Sequence, residues 1–142
     1  MKEQNYANHA RYVPLYHYIS PILLLAILTG SIVNLVNSQQ GNLYSASLIT
    51  ALTVVVILLW FFSRSFALKV QDRAIRAEEN LRYFVLTGKL LDKNLTMGQI
   101  ISLRFAADAE LPGLVQKTLA EKLSPRQVKQ EIKNWRADHH RA

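Results

Sequence analysis

The chain has 142 residues, a formal net charge of +7 at pH 7 and no cysteine. The lack of cysteine excludes disulfides, zinc–thiolate sites and cysteine nucleophiles. Positions 12–63 hold no Asp, Glu, Lys or Arg, whereas 15 of the 17 Lys and Arg residues follow position 63. A long uncharged apolar block with basic flanks is typical of a membrane protein and unlike a soluble globular domain.

Two apolar segments, residues 15–36 and 43–62, fill most of the uncharged block. The first would extend about 33 Å as a helix, enough to cross a hydrocarbon core of about 30 Å. The second contains a β-branched run, but helix is favoured because every backbone amide must be satisfied within lipid. The polar turn "NSQQGN" between the segments is short. We therefore predict an antiparallel transmembrane hairpin.

The start of the first span has two interpretations. A helix can begin at Pro14, in which case Pro21 kinks it near the interface. Alternatively, Ser20 caps the helix and Pro21 begins it, which leaves only about 24 Å up to Val36 and no full crossing. The kinked helix is favoured because it is long enough to span.

Basic residues predict the orientation of the hairpin. Lys2 and Arg11 precede the first span and many basic residues follow the second, whereas the turn has none. The positive-inside rule places both termini in the cytoplasm and the turn outside. Aromatic residues cluster at the same two ends, as interfacial belts do: Tyr12, Tyr16, Tyr18, Trp60, Phe61 and Phe62.

Small residues recur at helical spacing within both spans. Ala26, Gly30 and Asn34 share one face of the first span. Ser47 and Ala51 share one face of the second, and Ala46 and Thr50 lie beside them. Small residues let helix backbones approach closely in lipid. The first five of these residues form the predicted helix-contact face, and two uses remain open. The face can pack the hairpin against itself, or it can contact a partner helix.

Residues 63–88 predict a stem helix that continues the second span, because no proline or glycine occurs between Ser63 and Thr87. The expected continuous helix is Leu43–Thr87. Apolar residues along it follow a spacing close to a heptad repeat, and we call them the stem seam: Phe66, Val70, Ala74, Ala77, Leu81 and Phe84. The seam has two possible partners, the rest of this chain or a second copy.

Basic residues occupy another face at the start of the stem. Juxtamembrane Lys and Arg interact with anionic lipid headgroups, at about 1 kcal/mol each. The predicted headgroup contacts are Arg64, Lys69, Arg73 and Arg76. Anionic lipid is thus the expected partner of this face, and nucleic acid is not, because acidic residues alternate with basic ones across residues 117–138.

Residues 89–142 predict a small cap of three helices and a tail. Thr96 and Gln99 form a capping box that starts "MGQIISLRFAADA", and a helix in "LPGLVQKTLAEKL" follows. Ser124, Pro125 and Gln127 start the last helix, which is expected to carry Val128, Ile132 and Trp135 on one stripe. The predicted division is 1–62, 63–88 and 89–142, in an all-α membrane protein.

The order "QNYANHARYVPLYHYI", two spans, "VQDRAIRAEENLRYFVLTGKLLD", "SLRFAADAELPGL" and "IKNWRAD" resembles a known family. It is a group of small bacterial two-span membrane proteins classed as a domain of unknown function. The resemblance covers nearly the whole chain. It implies a bacterial cytoplasmic (inner) membrane location and brings no activity and no site residue.

The sequence predicts no catalytic, cofactor-binding or metal-binding residue. The four histidines lack the spacing of a metal site, and the glycines form no phosphate-binding loop. Arg104 and Asp108, four residues apart, are expected to form a surface ion pair.

Three functions are compatible with these patterns. The first is a non-enzymatic accessory, scaffolding or assembly subunit of a membrane complex or homo-oligomer. The second is an oligomeric pore or small transporter, which the lack of charged residues within the spans disfavours. The third is a membrane-tethered basic module that recruits acidic proteins or nucleic acid. The first is preferred by elimination.

Overall fold

The computed structural model describes residues 4–9 and 12–138. A π-helical turn, Leu15–Ile19, leads into α1, Ser20–Val36, and α2 covers Leu43–Thr87. Three short helices follow: α3, Met97–Leu103; α4, Leu111–Ala120; and α5, Pro125–Glu131. In these described residues the fold is all-helical, with one isolated β-bridge between Ala106 and Trp135. The predicted all-α class is confirmed.

The first helical segment starts at Pro14, as the favoured interpretation expects, since Pro14 is the N-cap of the π-helical turn. The N–H of Ser20 donates to the carbonyl of Leu15, five residues back. A proline at position 21 cannot donate a backbone hydrogen bond, and a widened turn before it relieves the clash with the preceding turn. Together the turn and α1 give a segment of 22 residues, Leu15–Val36.

The inner face of the hairpin is formed by small and hydroxylated residues. Ser31, Ala46 and Thr53 are buried, and the Thr50 hydroxyl donates to the Ser31 carbonyl at 3.1 Å. Large apolar side chains face outward instead, which is the reverse of a water-soluble hairpin. By length and composition, Leu15–Val36 and α2 are each capable of crossing a membrane.

Helix α2 is continuous over 45 residues, about 67 Å at 1.5 Å per residue. This confirms the predicted fusion of the second apolar segment with the stem. The helix ends at Thr87 because Gly88 adopts a left-handed φ of 71°, which glycine tolerates at low cost. The Gly88 N–H donates to the Phe84 carbonyl at 2.7 Å and closes the last turn.

The cap core is built from α3, α4, α5 and their connections. Both predicted capping boxes are present, Thr96 with Gln99 and Ser124 with Gln127. Gly98 allows α3 to approach α5, because a Cβ there would lie 2.9 Å from Cγ of Pro125. The largest fully buried apolar side chains belong to one core cluster: Ile100, Leu103, Phe105, Leu111, Val115 and Val128.

Two cap helices are shorter in the structure than the sequence predicts. α3 ends at Leu103 rather than continuing through "RFAADA", because Phe105 and Ala106 bend inward and Ala106 bridges to Trp135. α5 ends at Glu131, and Ile132 is already extended, with ψ of 119°. Trp135 therefore reaches the core from an extended segment, not from the helical stripe that was predicted.

The chain divides into two compact units, Arg11–Phe66 and Met1–Ala10 with Ala67–Ala142. We call the first the hairpin unit and the second the cap unit. The stem therefore packs with the cap, and residues 4–9 also belong to the cap unit. The predicted division into 1–62, 63–88 and 89–142 stays a prediction.

Candidate functional site

The stem packs against the cap through a stripe different from the stem seam. Ile75, Glu79 and Tyr83 are buried at four-residue spacing, so they lie on one face of α2. Val70 and Leu81 of the seam are 68% and 65% exposed. The expectation that the seam could pack against the rest of the chain is therefore wrong. The cap-facing stripe was missed because its centre is an acidic residue, Glu79.

Glu79 is buried because arginines surround it. Its Oε2 lies 3.0 Å from Nη1 of Arg82, and its Oε1 lies 3.9 Å from Nη1 of Arg136. A buried carboxylate without a cationic partner would cost several kcal/mol of folding free energy. The pairing with Arg82 and Arg136 offsets that cost and ties α2 to the last described segment of the chain.

Arg82 connects the stem to the loop after α3. Its Nη2 donates to the Ala106 carbonyl at 2.6 Å, and its Nε donates to Oδ1 of Asp108 at 2.6 Å. Arg104 pairs with Asp138 at 3.3 Å. The predicted ion pair between Arg104 and Asp108 is therefore wrong, since the chain bends at Phe105 and each residue pairs with a distant partner.

These charged residues line a cleft of about 670 Å³ between the stem and the cap. Its charged lining is Glu78, Glu79, Arg82, Arg104, Arg136 and Asp138. Of its three carboxylates, Glu79 and Asp138 form ion pairs with these arginines, and Glu78 is exposed. These ion pairs fix the cap to the stem, and they leave the cleft poorly suited to binding an anion. We call this set of ion pairs the latch. In the described ranges, no group of three metal-ligating side chains occurs.

The N-terminal segment packs on the cap close to this cleft. The Gln4 amide exchanges two hydrogen bonds with the Asp138 backbone, at 3.1 and 2.9 Å. The His9 ring lies against Phe105 and Trp135, each at 5.7 Å between centroids. Its Nε2 lies 3.0 Å from Nζ of Lys129. Sequence spacing assigned His9 no role, since every one of these partners is about a hundred residues away.

Elsewhere on the cap, Lys117 pairs with Glu131 at 2.7 Å. The hydrogen bond to that carboxylate raises the pKa of Lys117. The pair joins α4 to α5 at the surface.

The predicted headgroup residues fall into two groups. Arg64 is half-buried in the hairpin unit, and its guanidinium lies 5.6 Å from the Tyr16 ring centroid, in a cation–π contact. Lys69, Arg73 and Arg76 are exposed along the stem. Arg64 is therefore fixed within the hairpin unit, whereas the other three side chains are accessible at the surface.

The predicted helix-contact face is not used inside the hairpin. Ala26, Gly30, Asn34, Ser47 and Ala51 are all exposed, and a Cβ at Gly30 would meet nothing within 4 Å. These five residues therefore do not pack the hairpin against itself, whereas Ala46 and Thr50, which the sequence places beside Ser47 and Ala51, do. The hairpin contact uses other small residues one position away, such as Ser31, Ala46 and Thr50. Contact of the predicted face with a partner helix stays a prediction.

Comparison with known proteins gives a family and no activity. Residues 1–142 match the model of one family, whose description reads "Family of unknown function (DUF6526)". No curated protein and no solved structure matches the chain.

Proposed function

We propose a function from the surfaces that the two units leave open. The chain belongs to the DUF6526 family of unknown function. Membership confirms the predicted resemblance to a family without an assigned function. The proposal is a non-enzymatic, two-span protein of the bacterial cytoplasmic membrane. It acts as an accessory, scaffolding or assembly subunit, in a homo-oligomer or in a larger membrane complex.

The observation that carries this proposal is the outward-facing apolar surface of the hairpin unit. Leu25 is 64% exposed and Leu52 is 63% exposed, and the same holds for most large side chains of the two helices. In water, exposure of each such side chain would forgo about 1.5–3 kcal/mol of burial free energy. Lipid removes that cost, and it leaves the small, hydroxylated inner face to hold the helices together.

The orientation of the two spans rests on charge. Lys2 and Arg11 precede the first span, Arg64 and Lys69 follow the second apolar segment, and the turn 37–42 is uncharged. The positive-inside rule favours cytoplasmic termini for this distribution. The exposed Lys69, Arg73 and Arg76 then face anionic headgroups at the cytoplasmic surface.

An assembly role is supported by what the single chain leaves uncovered. The predicted helix-contact face remains exposed although it contains the only glycine of α1, a residue that permits close backbone approach. The charged cleft holds the cap in place through ion pairs, and in the described part of the chain its geometry includes no nucleophile beside a general base. The open surfaces suit protein contacts better than a reaction.

The experiment is purification from native membranes in mild detergent, with identification of the proteins that travel with the chain. We expect a second copy or a defined partner, and we expect Gly30→Leu to weaken that association by blocking close approach. Thr29→Leu, on an adjacent exposed position of α1, is the matched control and should leave the association unchanged. A monomer that carries no partner, or equal behaviour of the two variants, would refute the role of this face.

A further inference from the structure

The central residues of the stem seam, Ala77 and Leu81, lie on the side of α2 away from the cap, whereas Ala74 also borders the cleft. Residues two apart are separated by about 200° around an α-helix. Ala77 and Leu81 are therefore nearly opposite Glu79, which faces the cap, and Leu81 is likewise nearly opposite Tyr83. The seam is a second apolar stripe, and Val70, Leu81 and Phe84 on it are 68%, 65% and 49% exposed.

The seam has the spacing of a two-stranded coiled coil. From Val70 to Phe84 its residues follow at intervals of 4, 3, 4 and 3, the alternation of d and a positions in a heptad repeat. In this register Arg73 occupies a g position and Glu78 occupies the following e position. Residues at g and e flank the seam and form the salt bridges between paired helices.

Arg73 and Glu78 have opposite charges and lie five residues apart. In a parallel pair of helices, a g residue of one helix meets the e residue of the next heptad on the other, which is five positions further on. Each helix would thus offer Arg73 to Glu78 of its copy, and the symmetry gives two such pairs. Both side chains are exposed, Glu78 at the border of the cleft, and in the described ranges neither forms an ion pair with another residue.

We infer that the stem seam is the contact between two copies of this chain, in a parallel pair that Arg73 and Glu78 hold in register. The inference deepens the proposed function and rests on it. If every copy crosses the membrane in one orientation, neighbouring stems must be parallel, which is the arrangement that the charges require.

Membrane anchoring also accounts for the short seam. Two heptads are fewer than the three or four expected of an independent coiled coil. Two chains confined to one bilayer meet at a much higher effective concentration than free helices do, so a weaker contact suffices. The small residues Ala74 and Ala77 at the centre of the seam allow the helices to approach closely.

Cysteine cross-linking in native membranes tests this contact, because the chain has no cysteine of its own. Ala77→Cys places one thiol in the seam, and Arg76→Cys places one on the exposed basic face. We expect oxidation to produce a cross-linked dimer from Ala77→Cys and little from Arg76→Cys. Equal cross-linking at the two positions, or cross-linking of Ala77→Cys mainly to another protein, would overturn the inference.

Charge reversal in the Ala77→Cys background tests the register. Arg73→Glu and Glu78→Arg each place like charges opposite one another, and each should lose the larger part of the cross-linked dimer. The double variant restores opposite charges and should recover it. Arg76→Glu changes the net charge as Arg73→Glu does, but it lies outside the seam and should keep the dimer.

The outcomes separate this inference from the proposed function. Failure of the double variant to recover the dimer would show that Arg73 acts through headgroups or general charge, and would overturn the paired register. A chain that stays in the membrane fraction after alkaline extraction, yet gives no seam-specific dimer, would refute the inference alone. A chain that leaves the membrane fraction would refute the proposed function on which it rests.

Discussion

In the hairpin unit, the residues that pack between helices are small or hydroxylated, and the large apolar residues face outward. In the cap unit the distribution is reversed, with Phe105, Leu111 and Val128 inside and most charged residues at the surface. One helix, α2, passes through both units without a break. The two halves of a single helix therefore obey different rules for which residues are buried.

The face that a periodic apolar pattern marks therefore depends on the solvent around the helix. In water, the apolar stripe of a helix marks its buried face. In lipid, apolar residues are at no disadvantage outside, and backbone approach decides which face packs. Along the stem neither rule describes the structure. The apolar seam is exposed, and Glu79 is buried among arginines.

The largest effect is expected from Phe105→Ala in the cap core. Phe105 is 1% exposed, and removal of a buried aromatic ring costs about 3–5 kcal/mol of unfolding free energy. Chemical unfolding in detergent, followed by Trp135 fluorescence in a Trp60→Phe background, measures the change. Phe61→Ala is the matched control, because Phe61 is 58% exposed on the hairpin and should leave the cap transition in place. Equal losses of unfolding free energy in the two variants would contradict the difference in burial between the units.

Loss of the arginine that ties the stem to the cap ranks next. Arg82→Ala leaves Glu79 with only the longer contact to Arg136, and breaking a buried pair costs about 3 kcal/mol of unfolding free energy. Adding Glu79→Gln should recover part of the loss, because the uncompensated charge is removed. Arg76→Ala, at an exposed position, serves as control. A double variant less stable than Arg82→Ala would contradict the claim that Arg82 offsets the buried charge of Glu79.

A smaller effect is expected within the hairpin from Ser31→Leu. Ser31 is buried between the helices, so the larger side chain should push them apart and cost about 1–3 kcal/mol. Gly30→Leu, one residue away but with open space around it, should leave the hairpin intact. Unfolding in denaturing detergent, followed by Trp60 fluorescence in a Trp135→Phe background, distinguishes the two. The opposite ranking would mean that the inner face is wrongly assigned.

The smallest effect is expected at the start of α5. Ser124 accepts from the Gln127 N–H, and Gln127 accepts in return from the Ser124 N–H. Ser124→Ala removes this cap and should lower the stability of the cap unit by about 1 kcal/mol. Ser124→Thr retains the hydroxyl and should be close to neutral. A loss confined to the threonine variant would contradict the capping role.

Local signals predicted the fold well where chemistry marks a boundary. The two capping boxes, the end of α2 at Gly88 and the uninterrupted stem all follow from a few neighbouring residues. The contact face of the hairpin could not be predicted in the same way. Ser31 lies beside Gly30, and Ala46 and Thr50 lie beside Ser47 and Ala51; all are small residues, so residue size alone does not select one of the two adjacent faces.

The candidate site was missed for a different reason. The burial of Glu79 depends on Arg136, 57 residues further along the chain, and Arg104 pairs with Asp138 rather than with its neighbour Asp108. The extended path from Phe105, which carries Ala106 to its bridge with Trp135, creates these partners. Such pairings arise from tertiary packing and leave no periodic trace in the sequence.

The central claim is that the hairpin lies in a membrane with both termini cytoplasmic, and cysteine accessibility tests it most directly. Single cysteines at Gln40→Cys, in the turn, and Gln130→Cys, in the cap, can be treated with a membrane-impermeant maleimide in intact spheroplasts. We expect the turn variant to be labelled in intact spheroplasts, and the cap variant only after permeabilisation. Labelling of the cap in intact spheroplasts, or release of the chain by alkaline extraction, would contradict the claim.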